Sequence, residues 1–419
     1  MAGKDQLDAS RRGLLQYLGA WGLGAVGLAA VPRTSWGSPS SQEMDLPFKN
    51  GHRELVAFPQ KRPLILLSNR PPQLETPFSV FRESVFTPND AFFVRYHWSE
   101  VPTTVNLQTY RLRVSGKVDK PLELSLAEIK QLADPVEIAA VNQCSGNSRG
   151  LMKPRVNGGQ LSNGAMGNAR WTGVSIKKVL EAAGLQAGAL QVTFDGLDHP
   201  PLKNSPDFVK ALDVDHAMDG EVMLAWAMNG EDLPMLNGYP LRLVVPGYYG
   251  TYWMKHVSAI EVLDKPFDGF WMSHAYRVPD DACRCVAPGV TPTATRPISR
   301  FDVRSFITSL MDGEHVRVGH AQRVRGIAFD GGEGITEVAF SADGGRVWQE
   351  AQLGKDYGRY SFREWTAAFK PVRPGPYALM VRAVNRIGQS QPMENLWNPG
   401  GYMRNAVETT HVVAVQEGA

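Results

Sequence analysis

Cysteine is scarce: of 419 residues only Cys144, Cys283 and Cys285 carry thiols. Three cannot build a disulfide scaffold, and without a C-x-x-C-H motif there is no attachment point for a c-type haem. Cys283 and Cys285 stand at i and i+2, too far apart in an extended chain to bridge, and no role is expected of them. The nine histidines are scattered without H-E-x-x-H or H-x-H, so a transition metal would have to arrive on another scaffold. An excess of one charge is also missing. Lys and Arg number 44 against 42 Asp and Glu. Segment 1–38, with Lys4, Arg11, Arg12 and Arg33 against Asp5 and Asp8, holds the formal excess of +2. The balanced remainder has no bulk field to hold nucleic acid or an anionic membrane. Only one long apolar run occurs, over residues 14–31, which excludes a multi-span membrane protein.

What is present suits a globular chain of two domains. Hydrophobic residues make up 43% and charged residues 21%, ordinary for a protein with buried cores. The 41 Gly and 29 Pro favour turns and strands over long helices.

Ser10-Arg11-Arg12-Gly13-Leu14-Leu15 leads into a Gly/Ala-rich apolar stretch and reads as a twin-arginine export signal over 1–38, with the periplasm as destination. Cleavage is placed between residues 30 and 41. Its glycines and Gln16 count against the competing reading, a single membrane anchor. Residues 22–27 satisfy G-x-G-x-x-G but follow no strand, so they are discarded as a dinucleotide site. Export of a folded chain points to a cofactor loaded beforehand.

Residues 39–80 are polar and Pro-rich and read as an extended arm. Strand-like runs follow at 92–96, 110–115, 136–141 and 241–245. Two helical patterns interrupt them, one opened by the capping box Ser125-x-x-Glu128 and one over 175–183 closed by Gly184. This mixture argues for an α+β domain over 81–288. Beyond a Pro- and Thr-rich linker, residues 289–419 carry apolar or alternating runs and the hairpin signal Ser341-Ala342-Asp343-Gly344-Gly345, the pattern of a β-sandwich.

Cys144 lies in Asn142-Gln143-Cys144-Ser145-Gly146-Asn147-Ser148-Arg149-Gly150, a small, polar turn directly after an apolar strand. Arg149 nearby favours thiolate, the form that ligates a metal. The same stretch matches G-x-S-x-G, the nucleophile elbow of serine hydrolases. That chemistry needs a helix after the serine, and Met152-Lys153-Pro154-Arg155 cannot start one. In Phe92-Phe93-Val94-Arg95-Tyr96-His97, strand alternation puts Arg95 and His97 on one face, suited to an anion. Arg242 stands inside the apolar run 241–245, where a guanidinium needs an anionic or multi-acceptor partner. An aromatic loop ending in Lys255 follows and could enclose a planar, phosphate-bearing group.

In order on one chain, Phe92-Phe93-Val94-Arg95-Tyr96-His97, Gln143-Cys144-Ser145-Gly146-Asn147, Gly167-Asn168-Ala169-Arg170-Trp171, Met228-Asn229-Gly230-Glu231-Asp232-Leu233-Pro234 and Tyr239-Pro240-Leu241-Arg242 resemble the sulfite oxidase family of molybdenum enzymes. The likeness runs over about residues 80–415. It implies a molybdopterin-binding catalytic domain followed by an immunoglobulin-like dimerisation domain, hence a homodimer. It makes Cys144 the ligand to molybdenum. His97, Asp198, Asn237, Arg242 and Lys255 would bind the molybdopterin. Arg95, Arg149 and Tyr276 would form the substrate pocket, with Arg95 and Tyr276 taking part in the reaction.

The activity so implied is oxidation of sulfite, or a similar small anion, to sulfate. With no haem domain, electrons would leave to a separate periplasmic cytochrome c. Two positions depart from the family pattern. Leu161 falls where a pocket tryptophan is expected and Gly400 where a third pocket arginine is expected, so the pocket is less cationic and the substrate is open. The alternatives are a sulfane dehydrogenase-like enzyme or another small-oxyanion or sulfoxide oxidoreductase of the same family. A nitrate reductase fits less well, because those relatives carry fused haem and flavin domains. A rival of another class is an exported, non-catalytic β-rich binding protein.

Overall fold

The computed structural model describes residues 38–46 and 51–416. The twin-arginine segment lies outside them, as does most of the cleavage window. Among the described residues no helix is long and apolar enough to cross a membrane.

Strands dominate, joined by a few short helices. Residues 39–80, expected as an extended arm, fold into a sheet. Ser38–Asp45, His52–Ala57, Leu64–Ser68 and Gln73–Glu75 pair in sequence, and the last pairs with Val94–Arg95. The register sets Gln73 opposite Arg95. The N-terminal quarter of the chain thus holds the strand of an expected pocket arginine.

Two further sheets build the domain that precedes the linker. In one, Gln191–Asp195 lies between Lys210–Asp213 and Ala259–Leu263, and Ala259–Leu263 runs parallel to Leu112–Gly116. In the other, Met166–Ser175 lies between Val136–Gln143 and Met223–Met228, with Arg242–Val244 added beyond. The helix Leu126–Gln131 opens on the predicted capping box, with both Ser125–Glu128 bonds formed. Ile176–Ala183 ends at Gly184, whose φ of +72° places it in the left-handed region that glycine tolerates. Its buried face, Ile176, Val179, Leu180 and Ala183, follows the helical repeat and packs onto Met166–Ser175.

The C-terminal part of the chain is a sandwich. A four-stranded sheet centred on Gln322–Phe329 and Arg363–Phe369 faces a five-stranded one centred on Gly375–Asn385 and Thr409–Val415. Alternation puts Trp365, Ala367 and Phe369 inward from one strand and Leu379, Val381 and Ala383 from another. Each such large side chain, fully buried, contributes about 1.5–3 kcal/mol.

Cys283 and Cys285 are joined in a disulfide, contrary to the expectation from spacing. The backbone between them is not extended. Arg284 has φ of +54°, and this fold of the chain brings the two Cα atoms to 5.1 Å.

Candidate active site

Val136–Gln143 sinks into the core at its C-terminal end and delivers Cys144 at the first turn residue. The turn is fixed from several sides. Cys144 N donates to Ala165 O at 2.9 Å, Asn147 N donates to Cys144 O at 2.9 Å, and the Asn147 side chain accepts from Ala165 N at 3.0 Å. Ser148 takes a left-handed φ of +69°. Its hydroxyl is fully buried, donates to Asn163 and accepts from Arg304 at 3.0 Å. No histidine touches it, so the G-x-S-x-G match is not a nucleophile elbow. Arg304, itself fully buried, also reaches Glu408 at 3.2 Å, and this links the sandwich to the Cys144 turn.

Cys144 is half-buried and opens onto a cleft. Of the nine side chains singled out in the sequence, eight line it: Arg95, His97, Cys144, Asp198, Asn237, Arg242, Lys255 and Tyr276. Arg149 does not. It is 9% exposed and donates from Nε to Gly400 O at 2.9 Å.

The wall is rich in cations. Arg242 is buried beside the adjoining rings of Trp171 and Trp253, whose centroids lie 5.3 and 5.8 Å from its guanidinium, and burial pulls it down to about 10. Lys255 donates to Arg95 O at 2.9 Å and lies 4.1 Å from the ring centre of Tyr96. Burial draws its ammonium down to about 7, against the pull of Asp198. Asp198 is raised, first by its own burial, with Lys255 opposing. Asn237 already has protein partners: it accepts from Lys61 Nζ and donates to Phe93 O at 3.1 Å.

His97 stacks on Phe208 at 3.8 Å between centroids and meets the Tyr276 hydroxyl through Nε2. Burial, then the charge of Arg95, holds this imidazole well below its usual range. Burial also drives the Tyr276 phenol well up, with Arg95 opposing. Burial therefore favours the neutral imidazole and the protonated phenol in this pair.

Sequence reasoning passed over several groups. Lys210, 1% exposed, donates to Trp271 O at 2.6 Å and stands 5.3 Å from the ring centre of Tyr276. It is a lysine inside the apolar run Phe208-Val209-Lys210-Ala211-Leu212, and the argument applied to Arg242 would have found it. Tyr402 stacks on Tyr276 at 5.3 Å. Lys61, in the N-terminal segment, backs Asn237.

Several buried polar atoms on the wall have no protein partner: both side-chain atoms of Asn142, the hydroxyls of Ser145 and Thr251, and Nε of Arg242. An unpaired buried donor or acceptor costs about 1–3 kcal/mol. Clustered beside a thiol, two cations and a carboxylate, they fit a polar, phosphate-bearing heterocycle whose metal takes its protein ligand from Cys144. Among the described residues no group of three or more His, Cys, Asp or Glu could hold a metal ion unaided.

Comparison with known proteins places the chain by its two domains. The oxidoreductase molybdopterin binding domain matches residues 98–271, and the Mo-co oxidoreductase dimerisation domain matches residues 295–417. Sulfite oxidase of Arabidopsis thaliana is 29% identical over 86% of this chain and 97% of its own length. Sulfite oxidase of Gallus gallus is 33% identical over 81% of this chain and 75% of its own length. For mitochondrial sulfite oxidase of Rattus norvegicus the identity is 32%, over 85% and 67%. The crystal structure of the sulfane dehydrogenase SoxCD from Paracoccus pantotrophus superposes with a TM-score of 0.70 at 23% identity, covering 93% of each chain, a likeness of fold. With its cofactor-binding half, its dimerisation sandwich and a cysteine at the mouth of the cleft, the chain belongs to the sulfite oxidase family of molybdopterin oxidoreductases.

Proposed function

We propose that the protein oxidises sulfite, or a closely similar small sulfur anion, to sulfate after export to the periplasm. Electrons then pass to a separate c-type cytochrome, and the chain works as a homodimer through its sandwich. The observation that carries this reading is the convergence of Cys144, Arg95 and Tyr276 on one cleft with a cationic, partly unpaired polar wall.

Cys144 would hold the molybdenum, and Asn142, Asp198, Arg242, Thr251 and Lys255 would hold the pterin and its phosphate. When bound, the group supplies oxygen-atom transfer to sulfur and takes up the two electrons released. The chain supplies charge and orientation. Arg95, half-buried at the cleft, offers a positive charge to an incoming anion, worth about 4 kcal/mol at ~4 Å and intermediate dielectric before desolvation losses. Tyr276 keeps its proton on Oη, and with His97 in the tautomer whose Nε2–H donates to that oxygen, the phenol proton is left to donate to a substrate oxygen. Phe93, Phe208 and Trp253 limit water around the reacting sulfur.

The test is metal analysis of purified protein with sulfite-driven reduction of ferricyanide or cytochrome c. Stoichiometric molybdenum and sulfite turnover are expected, with Arg95→Gln losing about a hundredfold in kcat/KM through a raised KM. Folded, metal-free protein would favour a non-catalytic binding role. Molybdenum-loaded protein inert to sulfite would favour the second reading, another sulfur anion at the same cleft, which the neutral Gly400 supports.

A further inference from the structure

Gly400 stands where the family resemblance leads one to expect an arginine, and the structure gives a steric reason for the glycine. A Cβ built there would lie 2.4 Å from Cε2 and 2.5 Å from Cδ2 of Tyr402, closer than real side-chain carbons approach. A side chain at position 400 would require the ring to move. The backbone that carries the ring is fixed on both sides. Asn398 accepts from Tyr402 N at 3.1 Å and donates to Tyr402 O at 2.8 Å. Met403 N donates to Ser145 O at 2.9 Å, which ties this loop to the turn after Cys144.

The ring also engages Tyr276, which lines the cleft, and Arg149, which does not. It stacks on Tyr276 at 5.3 Å and 28°, and the Arg149 guanidinium sits 4.9 Å from its centroid. Arg149 is fixed there by Gly400 O and by close packing against Gly146 and Gly158, where a Cβ would come within 2.9 Å of the guanidinium. Its guanidinium lies against an aromatic ring and a carbonyl oxygen, and it is not among the side chains that line the Cys144 cleft.

We infer that Tyr402 is a specificity-determining residue: its ring excludes a cation from position 400 and covers Arg149, so the substrate side of the cleft recognises small sulfur anions of single negative charge and discriminates against dianions. This rests on the reading of the cleft as the place where a sulfur anion is oxidised. Hydrogen sulfite enters with one charge, whereas sulfate leaves with two. A wall with one substrate-side cation, Arg95, holds the first adequately and the second weakly, so the product departs readily.

The experiment measures sulfate binding to the molybdenum-loaded dimer by calorimetry, beside sulfate inhibition of sulfite turnover. Tyr402→Leu removes the ring face but keeps apolar volume. Gly400→Ala displaces the ring without altering Tyr402. Each should tighten sulfate binding about five- to tenfold at low salt, the worth of one cation near a partly exposed site. The gain should fade by about 0.5 M salt, where screening is nearly complete. Tyr402→Phe keeps the ring and should bind sulfate as the parent does. If Tyr402→Leu fails to fold, Gly400→Ala carries the same expectation alone. Sulfate affinity unchanged in every folded ring-displacing variant, or shifted equally by Tyr402→Phe, would overturn the inference. A parent inert to sulfite whose variants still gain sulfate affinity would sink the sulfite reading and leave the role of Tyr402 standing.

Discussion

Two buried polar networks, one in each half of the molecule, follow opposite rules. Inside the sandwich, Asp330 accepts from Asn385 Nδ2 and from the backbone of Gly332 and Gly334. Beside it Gln391 accepts from Ser305 and Ala383 N and donates to Asn405 O. That network closes on itself. Around Cys144, by contrast, Asn142, Ser145, Thr251 and Arg242 leave atoms unpaired on a cleft wall already crowded with cations. The Asp330 and Gln391 side chains are satisfied within the protein. Polarity kept for a ligand stays open, at a cost the apoprotein bears.

Substitutions in each network should separate these rules. Cys144→Ser should remove turnover to below about 0.1% of the parent, since the metal loses its protein ligand, while thermal unfolding stays near the parent's. A fully active variant would break the contrast at its strongest point. In the closed network, Asn385→Ala should cost about 1–3 kcal/mol of stability by stranding Asp330, read by denaturant unfolding. Activity per bound molybdenum should hold, and a loss of activity without a loss of stability would reverse the assignment of the two networks.

A smaller effect should appear with pH. Burial lowers Lys61 and Lys210 to about 7. From about pH 7 to 10.5 the unfolded chain therefore binds more protons than the native one, and stability rises with pH, by at most about 1.4 kcal/mol per unit for each lysine. Lys210→Met should remove its share of that rise in pH-dependent unfolding of cofactor-free protein; an unchanged slope would mean the ammonium is solvated. The smallest effect is expected at the disulfide. Cys283→Ser with Cys285→Ser should leave kcat within about twofold, because neither sulfur lines the cleft. Mass spectrometry of unreduced protein should show the two hydrogens missing, and a full complement would mean the bridge is absent.

What the sequence made legible was local. The turn at Cys144 followed from an apolar strand ending in small polar residues, and the sandwich strands followed from alternation that Trp365, Ala367 and Phe369 obey. The capping box at Ser125 and the glycine stop at Gly184 lie within one helical turn of what they control. The rest depended on long-range pairing. Nothing near residue 61 signals that its ammonium will reach Asn237. Tyr402 gains its meaning only from a collision with position 400 and a stack on Tyr276, distant in the chain. The bridge at Cys283 was hidden because spacing alone assumed an extended chain, whereas Arg284 turns left-handed. The sheet of residues 38–95 was hidden too, because Pro-rich segments give little periodicity to read.

The strand of Arg95 hangs on a sheet that begins at Ser38, well ahead of Cys144 in the chain, and the loop bearing Tyr402 lies far beyond it. A chain cut short before the sandwich keeps the cysteine and the Arg95 strand but lacks the Met403 bond to Ser145 and the ring that stacks on Tyr276. The turn that presents Cys144 is therefore finished by residues from the far end of the fold, so damage to the sandwich should be felt at the thiol.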